Sequence, residues 1–198
     1  MKKDVIDKAI FALKNGELIV YPTDTLYGIG ADINNIEAIN KVYDIKKRSK
    51  NNPLSVAVSD IKSIKRIAFL DKKSNALAEK FLPGPLCLIL NKKEEVPEIV
   101  TSGLKKIAIR IPNNKTALTL TKKFGPITCT SANIHRKATP NSINTIYMHL
   151  KDKVSVYIDE GRLSSEPSTI VDATSDKIRI LRDGAISKKE IQNVIDNE

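Results

Sequence analysis

The sequence predicts an α/β (α+β) fold, a twisted, open, mixed β-sheet flanked by helices, and three observations carry that prediction. Short apolar runs such as Leu18-Ile19-Val20, Leu86-Cys87-Leu88-Ile89-Leu90 and Ile107-Ala108-Ile109-Arg110-Ile111 have the length of buried strands. Most are separated by stretches with apolar residues at helical spacing. Near the carboxyl end, Thr169-Ile170-Val171-Asp172 and Lys177-Ile178-Arg179-Ile180-Leu181 follow one another without a helix, which mixes strand directions and argues against a barrel. The 198 residues contain no visible linker, repeat or low-complexity segment, so residues 1–198 read as a single domain.

In order, Asp4 is placed to cap a helix that reaches about Asn15, with Val5, Ile6, Ala9, Ile10 and Leu13 on one face and Gly16 as its stop. A strand from Glu17 to Tyr21 delivers the loop Tyr21-Pro22-Thr23-Asp24-Thr25-Leu26-Tyr27-Gly28-Ile29-Gly30. Pro22 lacks an amide donor and ends the ladder, while Gly28 and Gly30 permit unusual angles or a close approach. Such a loop holds a ligand or merely turns the chain. Asn34 or Asn35 starts a helix to about Lys46, with Ile36, Ile39, Val42 and Tyr43 inward. The basic loop that follows, Lys46-Lys47-Arg48-Ser49-Lys50-Asn51-Asn52-Pro53, suits either a helix-dipole cap or a polyphosphate.

A strand from Leu54 to Val58 precedes helices over 60–69 and 71–82, the second broken by Pro83-Gly84-Pro85. Leu86 to Leu90 reads as a strand buried on both faces, and a charged loop with Pro97 and Thr101-Ser102-Gly103 leads to the next strand. Arg110 is a cation in an apolar strand and needs an internal carboxylate or an anionic ligand. After a helix from Ala117 to Phe124, the strand Ile127-Thr128-Cys129 feeds a second polar loop, Thr130-Ser131-Ala132-Asn133, extended by Arg136, Lys137, Pro140 and Asn141. A helix over 142–150, a strand over 154–158, the final pair of strands and a helix opened by the capping box Ser187…Glu190 complete the chain.

Composition narrows the function. Apolar residues make up 41% of the chain, but no run is long enough to span a bilayer and the amino terminus lacks a signal-peptide core, so a soluble, cytoplasmic protein is expected. Cys87 and Cys129 read as buried thiols, and with two histidines they supply no zinc-ligand spacing; no resident metal site is expected. The 33 basic against 23 acidic residues give +10, which favours nucleotide, RNA or phosphate as partner, or serves solubility. Ser131, His135 and Asp159 do not make a convincing triad without a G-x-S-x-G elbow, and neither a phosphate-binding P-loop nor G-x-G-x-x-G occurs. A pocket of Thr, Ser and Asn with isolated Lys and Arg works by positioning and by stabilising negative charge, as phosphoryl and nucleotidyl transfer require.

Seven segments in one order resemble the threonylcarbamoyl-AMP synthase family, with its YrdC-like fold: Pro22-Thr23-Asp24-Thr25-Leu26-Tyr27-Gly28, Lys46-x-Arg48 with Asn52-Pro53-Leu54, Pro83-Gly84-Pro85-Leu86, Ala108-Ile109-Arg110-Ile111-Pro112, Thr130-Ser131-Ala132-Asn133, Ser168-Thr169-Ile170-Val171-Asp172 and Leu181-Arg182-x-Gly184. The resemblance implies formation of L-threonylcarbamoyladenylate and pyrophosphate from L-threonine, bicarbonate and ATP with Mg²⁺, for modification of transfer RNA at position 37. It implies Thr23, Thr25, Arg110 and Ser168 as threonine contacts. Lys46, Arg48, Ser131 and Asn133 would form the catalytic set. Lys46, Arg48, Lys50, Lys106, Asn133, Asn141 and Arg182 would face ATP. A downstream threonylcarbamoyl-transferase complex would receive the product.

Two positions depart from the family pattern: many relatives have lysine at Asn52, and some have histidine at Ala57, so Lys50 is expected to replace one contact. The chain resembles the short form of the family, without the second domain of many relatives. Two rival readings are an RNA-binding module without catalysis, poorly supplied with aromatics at 5%, and a carbamoyl-adenylate domain like that of hydrogenase-maturation proteins.

Overall fold

The computed structural model describes residues 2–133, 140–163 and 166–197. Its elements are α1 (Lys2–Lys14), β1 (Ile19–Tyr21), β2 (Gly28–Gly30), α2 (Ile36–Lys46), β3 (Ser55–Ala57), α3 (Ile61–Ile67), α4 (Lys72–Phe81), β4 (Leu86–Asn91), α5 (Glu98–Thr101), β5 (Lys106–Arg110), α6 (Lys115–Phe124), β6 (Ile127–Thr128), β7 (Thr130–Ser131), α7 (Ile143–Leu150), a 3-10 turn (Lys151–Lys153), β8 (Val156–Tyr157), β9 (Thr169–Asp172), β10 (Arg179–Arg182) and α8 (Lys188–Asp196). The mixed α/β architecture is the one expected, but the strands form two sheets instead of one. The larger has the order β10-β9-β4-β5-β3-β6, with antiparallel and parallel pairs alternating across it. The smaller has the order β7-β2-β1-β8, with β8 parallel to β1.

The segment 127–131 explains the division. Its first half, β6, pairs with β3 of the larger sheet, and its second half, β7, pairs with β2 of the smaller. Around the changeover, Cys129 donates its amide to Ser55 O at 2.7 Å, Thr128 donates its own to Ala31 O at 2.9 Å, and the Thr128 hydroxyl bonds Ile29 O. One short strand therefore serves both sheets, which an apolar run of three residues did not reveal.

Residues 28–30 were expected in a loop; they form β2, antiparallel to β1 with Tyr21 opposite Gly28 and Ile19 opposite Gly30. Neither glycine has a positive φ. What Gly30 supplies is room: a Cβ there would lie 2.8 Å from Ile19 Cγ1 and 3.1 Å from the Tyr21 ring. The ring thereby lies over the strand while its hydroxyl donates to Thr128 O at 3.0 Å.

Helix signals are obeyed closely. Asn35 caps α2 by accepting the Ala38 amide, Asp60 and Asp71 cap α3 and α4, and Ser187 with Glu190 closes the capping box of α8. α1 begins at Lys2, so Asp4 lies inside its first turn and complements the helix dipole there instead of capping it. Residues 98–101, expected in a loop, form the short α5, and β1 starts at Ile19, two residues later than expected. Among the described residues, no helix is long and apolar enough to cross a membrane.

Candidate active site

Strand alternation builds the floor of the site. Leu86, Leu88, Leu90, Ile107, Ile109, Val56 and Val171 point to one face of the larger sheet and are essentially inaccessible in the main core. Burying each such side chain contributes about 1.5–3 kcal/mol, so this face fixes the register. The intervening residues Ser55, Cys87, Ile89, Ala108, Arg110 and Ile170 occupy the other face and line a cavity of about 460 Å³. The strand Leu86 to Leu90 is thus not buried on both sides by core, as expected; its second face is a cavity floor. The walls are Thr23, Thr25, Leu26, Tyr27 and Gly28 from the loop after β1, Arg48 and Pro53 from the basic loop, Cys129, Thr130 and Ser131, then Pro167, Ser168 and Arg182.

At one end the chain knots itself around Thr23. Its hydroxyl donates to Leu26 O at 2.6 Å and accepts the amides of Thr25 and Leu26 at 3.2 Å each. That turn presents Thr25 and Asp24 to Arg110: NH1 lies 3.2 Å from Thr25 Oγ1 and NH2 lies 2.5 Å from Asp24 Oδ1. The internal carboxylate weighed for Arg110 is therefore present, and the guanidinium also lines the cavity. Burial opposes its charge, but Cys129 at the high pH where its thiol ionises, together with the Asp24 carboxylate, outweighs that and the guanidinium pKa is raised. Three side-chain atoms here are buried without a hydrogen-bond partner: Asp24 Oδ2, Arg110 Nε and Ser168 Oγ. Tyr27 anchors the loop from behind, donating to Gly161 O at 2.8 Å and accepting the Glu160 amide at 3.0 Å. Burial pushes its phenol up to about 12, so it stays a neutral donor.

At the second polar loop, Lys46 is almost wholly inaccessible and its ammonium group reaches Ser131 O, Asn133 O at 2.9 Å and Asn133 Oδ1 at 3.0 Å. Ser131 Oγ donates to the same Asn133 Oδ1 at 2.6 Å. Lys46, Ser131 and Asn133 are thus assembled as one cluster, of which Ser131 faces the cavity. Burial, reinforced by Arg48, pulls the Lys46 pKa down to about 7, whereas three acceptor oxygens favour the ammonium form with its three donors; the group titrates near neutrality. Arg48 lines the cavity and is braced by Asn52 O at 3.1 Å and Pro53 O at 2.9 Å. Asn52 thus contributes its backbone where many relatives were expected to contribute a lysine.

Ser168 and Arg182 meet across the sheet edge, where Arg182 donates to Ser168 O from Nε at 3.1 Å and NH2 at 2.7 Å. Gly184 is required beside them, since a Cβ would fall 2.2 Å from Pro167 O and 2.6 Å from Thr169 N. Three of the expected ATP contacts lie away from the cavity wall. Lys50 is exposed and donates to Asn40 Oδ1 at 2.6 Å. Lys106 shares the cavity face of β5 but pairs with Asp172 at 3.2 Å, about 13 Å along the strand from Arg110. Asn141 is exposed, with its carbonyl accepting the Leu163 amide. His135, Arg136 and Lys137 lie outside the described residues.

Sequence reasoning gave no role to Asp24, which pairs with Arg110, or to Ser55, Ile89 and Ile170, which line the cavity, and it placed both cysteines in the core when they also line the cavity. The alternation of Leu86-Cys87-Leu88-Ile89-Leu90, with its weaker members at odd positions, was the available signal. Burial raises both thiols, Cys87 to about 11, so they are neutral walls and not nucleophiles. Among the described residues no group of three or more His, Cys, Asp or Glu could hold a metal ion. The donors at the cavity are hydroxyls and cations, which suit a small zwitterion and a polyanion side by side.

The sequence profile of the Sua5/YciO/YrdC family, described as "Telomere recombination", matches residues 11–184. A Methanocaldococcus jannaschii protein provisionally named threonylcarbamoyl-AMP synthase is 40% identical over 186 residues, 93% of this chain and 88% of its own. A Pyrococcus abyssi protein named threonylcarbamoyl-AMP synthase is 34% identical over 187 residues, 92% of this chain but 55% of its own length. The structure of P. abyssi Sua5 complexed with L-threonine superposes with a TM-score of 0.92 at 32% identity, covering 98% of this chain and 58% of that one. With the profile covering most of its length and the cavity built from the family's own motifs, this chain belongs to the Sua5/YciO/YrdC family.

Proposed function

We propose that the protein is a threonylcarbamoyl-AMP synthase, a nucleotidyltransferase that forms L-threonylcarbamoyladenylate and pyrophosphate from L-threonine, bicarbonate and ATP. The observation that carries this reading is the one cavity that gathers Thr23, Thr25, Arg110 and Ser168 together with Arg48, Ser131 and Arg182. Threonine's carboxylate is taken by Arg110 and its polar groups by Thr25 and Ser168. Thr23, whose hydroxyl is committed to its own turn, shapes that side. The triphosphate is taken by Arg48, with Lys46 holding Ser131 and Asn133 against it and Arg182 closing the nucleotide side. Lys50, Lys106 and Asn141 join the ATP contacts only if loaded substrate rearranges them.

The reaction needs little from the protein beyond placement. Threonine's ammonium gives up a proton to solvent, the neutral amine attacks the carbon of bicarbonate, water departs, and a carbamate oxygen then attacks the α-phosphorus as the bond to pyrophosphate breaks. Negative charge grows on the departing pyrophosphate, where Arg48 and the Lys46 cluster stabilise it. Among the described residues the wall offers hydroxyls and no cluster of carboxylates, so Mg²⁺ would come with ATP and would supply charge neutralisation at its phosphates. A neutral thiol and isoleucine floor limits water around the labile carbamate.

The product would serve modification of transfer RNA at position 37 through a downstream transferase complex in the cytoplasm. The +10 charge supports contact with RNA, and two free buried thiols agree with a reducing compartment. Pyrophosphate release, measured with threonine and bicarbonate supplied or withheld, is expected to require both. Release indifferent to threonine would overturn the reading. RNA affinity with a steep salt slope but no release would favour the binding module.

A further inference from the structure

Asp24 has no role in the chemistry above, although it makes the closest contact of the amino-acid side. Its Oδ1 lies 2.5 Å from Arg110 NH2, and the two side chains are 12% and 8% exposed. Thr25 Oγ1 holds the other terminal nitrogen at 3.2 Å, so the guanidinium is fixed from two directions by neighbouring residues of one turn. Asp24 Oδ2 is buried beside it without a hydrogen-bond partner. A buried carboxylate keeps such an oxygen unpaired only at a cost. Asp24 is not among the residues that line the cavity, so it acts on a ligand through the charge it balances on Arg110, which does line it.

The pair also sets the charge of this end of the cavity. Arg110 alone would present one positive charge to any carboxylate. Balanced by Asp24, the end is neutral and dipolar. A ligand carrying only a carboxylate would bring an uncompensated negative charge to a pair that is already balanced, and one carrying only an ammonium would bring a positive one. A ligand with both, spaced by a single carbon, matches the dipole and leaves the site neutral.

We propose that Asp24 is a specificity-determining residue, which with Arg110 makes a dipolar site that selects an α-amino acid zwitterion over a ligand bearing either charge alone. The inference rests on reading this end as the amino-acid side. Its test is calorimetric binding of L-threonine, its deaminated counterpart 2,3-dihydroxybutanoate, and L-threoninamide to the full chain. The wild-type protein is expected to prefer threonine to both by about tenfold or more, the scale of a buried charge left unmatched. Asp24→Asn, similar in shape but uncharged, is expected to lose most of the preference over 2,3-dihydroxybutanoate, because Arg110 then welcomes a lone carboxylate. Asp24→Glu is expected to keep it within about threefold, a difference under 1 kcal/mol. An unchanged preference in folded Asp24→Asn, with ATP binding retained, overturns the proposal, and so does a wild-type protein that binds all three alike, whether or not the variant folds. Threonine-dependent pyrophosphate release alongside either result leaves the synthase reading standing. Absence of any threonine binding removes both.

Discussion

Arg110 and Lys46 are the two buried cations of the described chain, and their surroundings differ in kind. Arg110 has a carboxylate at 2.5 Å and a raised pKa. Lys46 has only neutral oxygens, among the described residues, and its pKa falls to about 7. The first is a permanent charge with its balance built in; the second is a charge whose balance must arrive from outside. An amino acid, itself neutral overall, suits the first. A polyphosphate, bringing negative charge, suits the second. On the proposed reading, threonine and ATP are thus distinguished by how each cation is compensated, more than by sign.

Removing Arg110 gives the largest expected effect. Arg110→Met leaves Asp24 buried without its partner, which costs about 3–5 kcal/mol. In a chain of this size that lowers the melting temperature by roughly 6–20 °C. Adding Asp24→Asn is expected to recover part of the loss. Thermal melts of the two variants check this, and a double variant no more stable than the single would show that the pair is not the source.

Lys46→Ala comes next. It removes the ammonium donor from three acceptor oxygens and frees the Ser131–Asn133 loop. The expected fall in pyrophosphate release is about 100-fold, equal to roughly 3 kcal/mol of lost stabilisation. Threonine affinity should change by less than about threefold, since Lys46 makes no hydrogen bond to Thr23, Thr25, Arg110 or Ser168 among the described residues. Comparable losses in both would erase the distinction between the two cations.

A third effect is read in protons. The folded Lys46 pKa of about 7 lies below its ordinary 10.5, so the unfolded chain binds more protons between those values. Burial of this group therefore opposes folding in full below about pH 7, and stability recovers as pH rises from there towards 10.5. Bound triphosphate favours the ammonium and draws the pKa back up. ATP binding at pH 7 is then expected to take up about half a proton. Calorimetry in two buffers of different ionisation enthalpy measures the uptake, which should vanish in Lys46→Ala.

Much of this was legible beforehand because the signals were local. Caps at Asn35, Asp60, Asp71 and Ser187, the break at Pro83-Gly84-Pro85 and the misplaced Arg110 each act within a few residues. The second sheet was not legible, since it depends on Thr128 and Thr130 pairing with different partners about 70 and 100 residues away. The same limit hid the cavity floor: Cys87 meets Ile170 and Ile89 meets Ala108 only through strand register. Asp24 stood in full view within a recognised motif, but its meaning required Arg110 beside it.

The smallest expected effect tests whether Arg110's charge alone suffices or its orientation matters too. Thr25→Val keeps the volume and removes one acceptor, leaving Asp24 and the charge balance intact. Thr25 Oγ1 holds NH1 at 3.2 Å and lies 3.2 Å from Thr23 Oγ1, so its loss frees one edge of the guanidinium without unknotting the turn. One hydrogen bond to a charged group is worth about 1.5–3 kcal/mol when lost outright, and water or a small rotation restores part of it. Threonine should therefore bind about 5–10-fold more weakly, a change of roughly 1–1.4 kcal/mol, with ATP affinity unchanged within twofold. Titrations of both substrates check the split. Thr23→Ala, which dismantles the turn presenting both Asp24 and Thr25, should weaken threonine further than Thr25→Val does. If the order reverses, direct contact by Thr25 outweighs the geometry of the turn, and the balance at Arg110 depends on Asp24 alone.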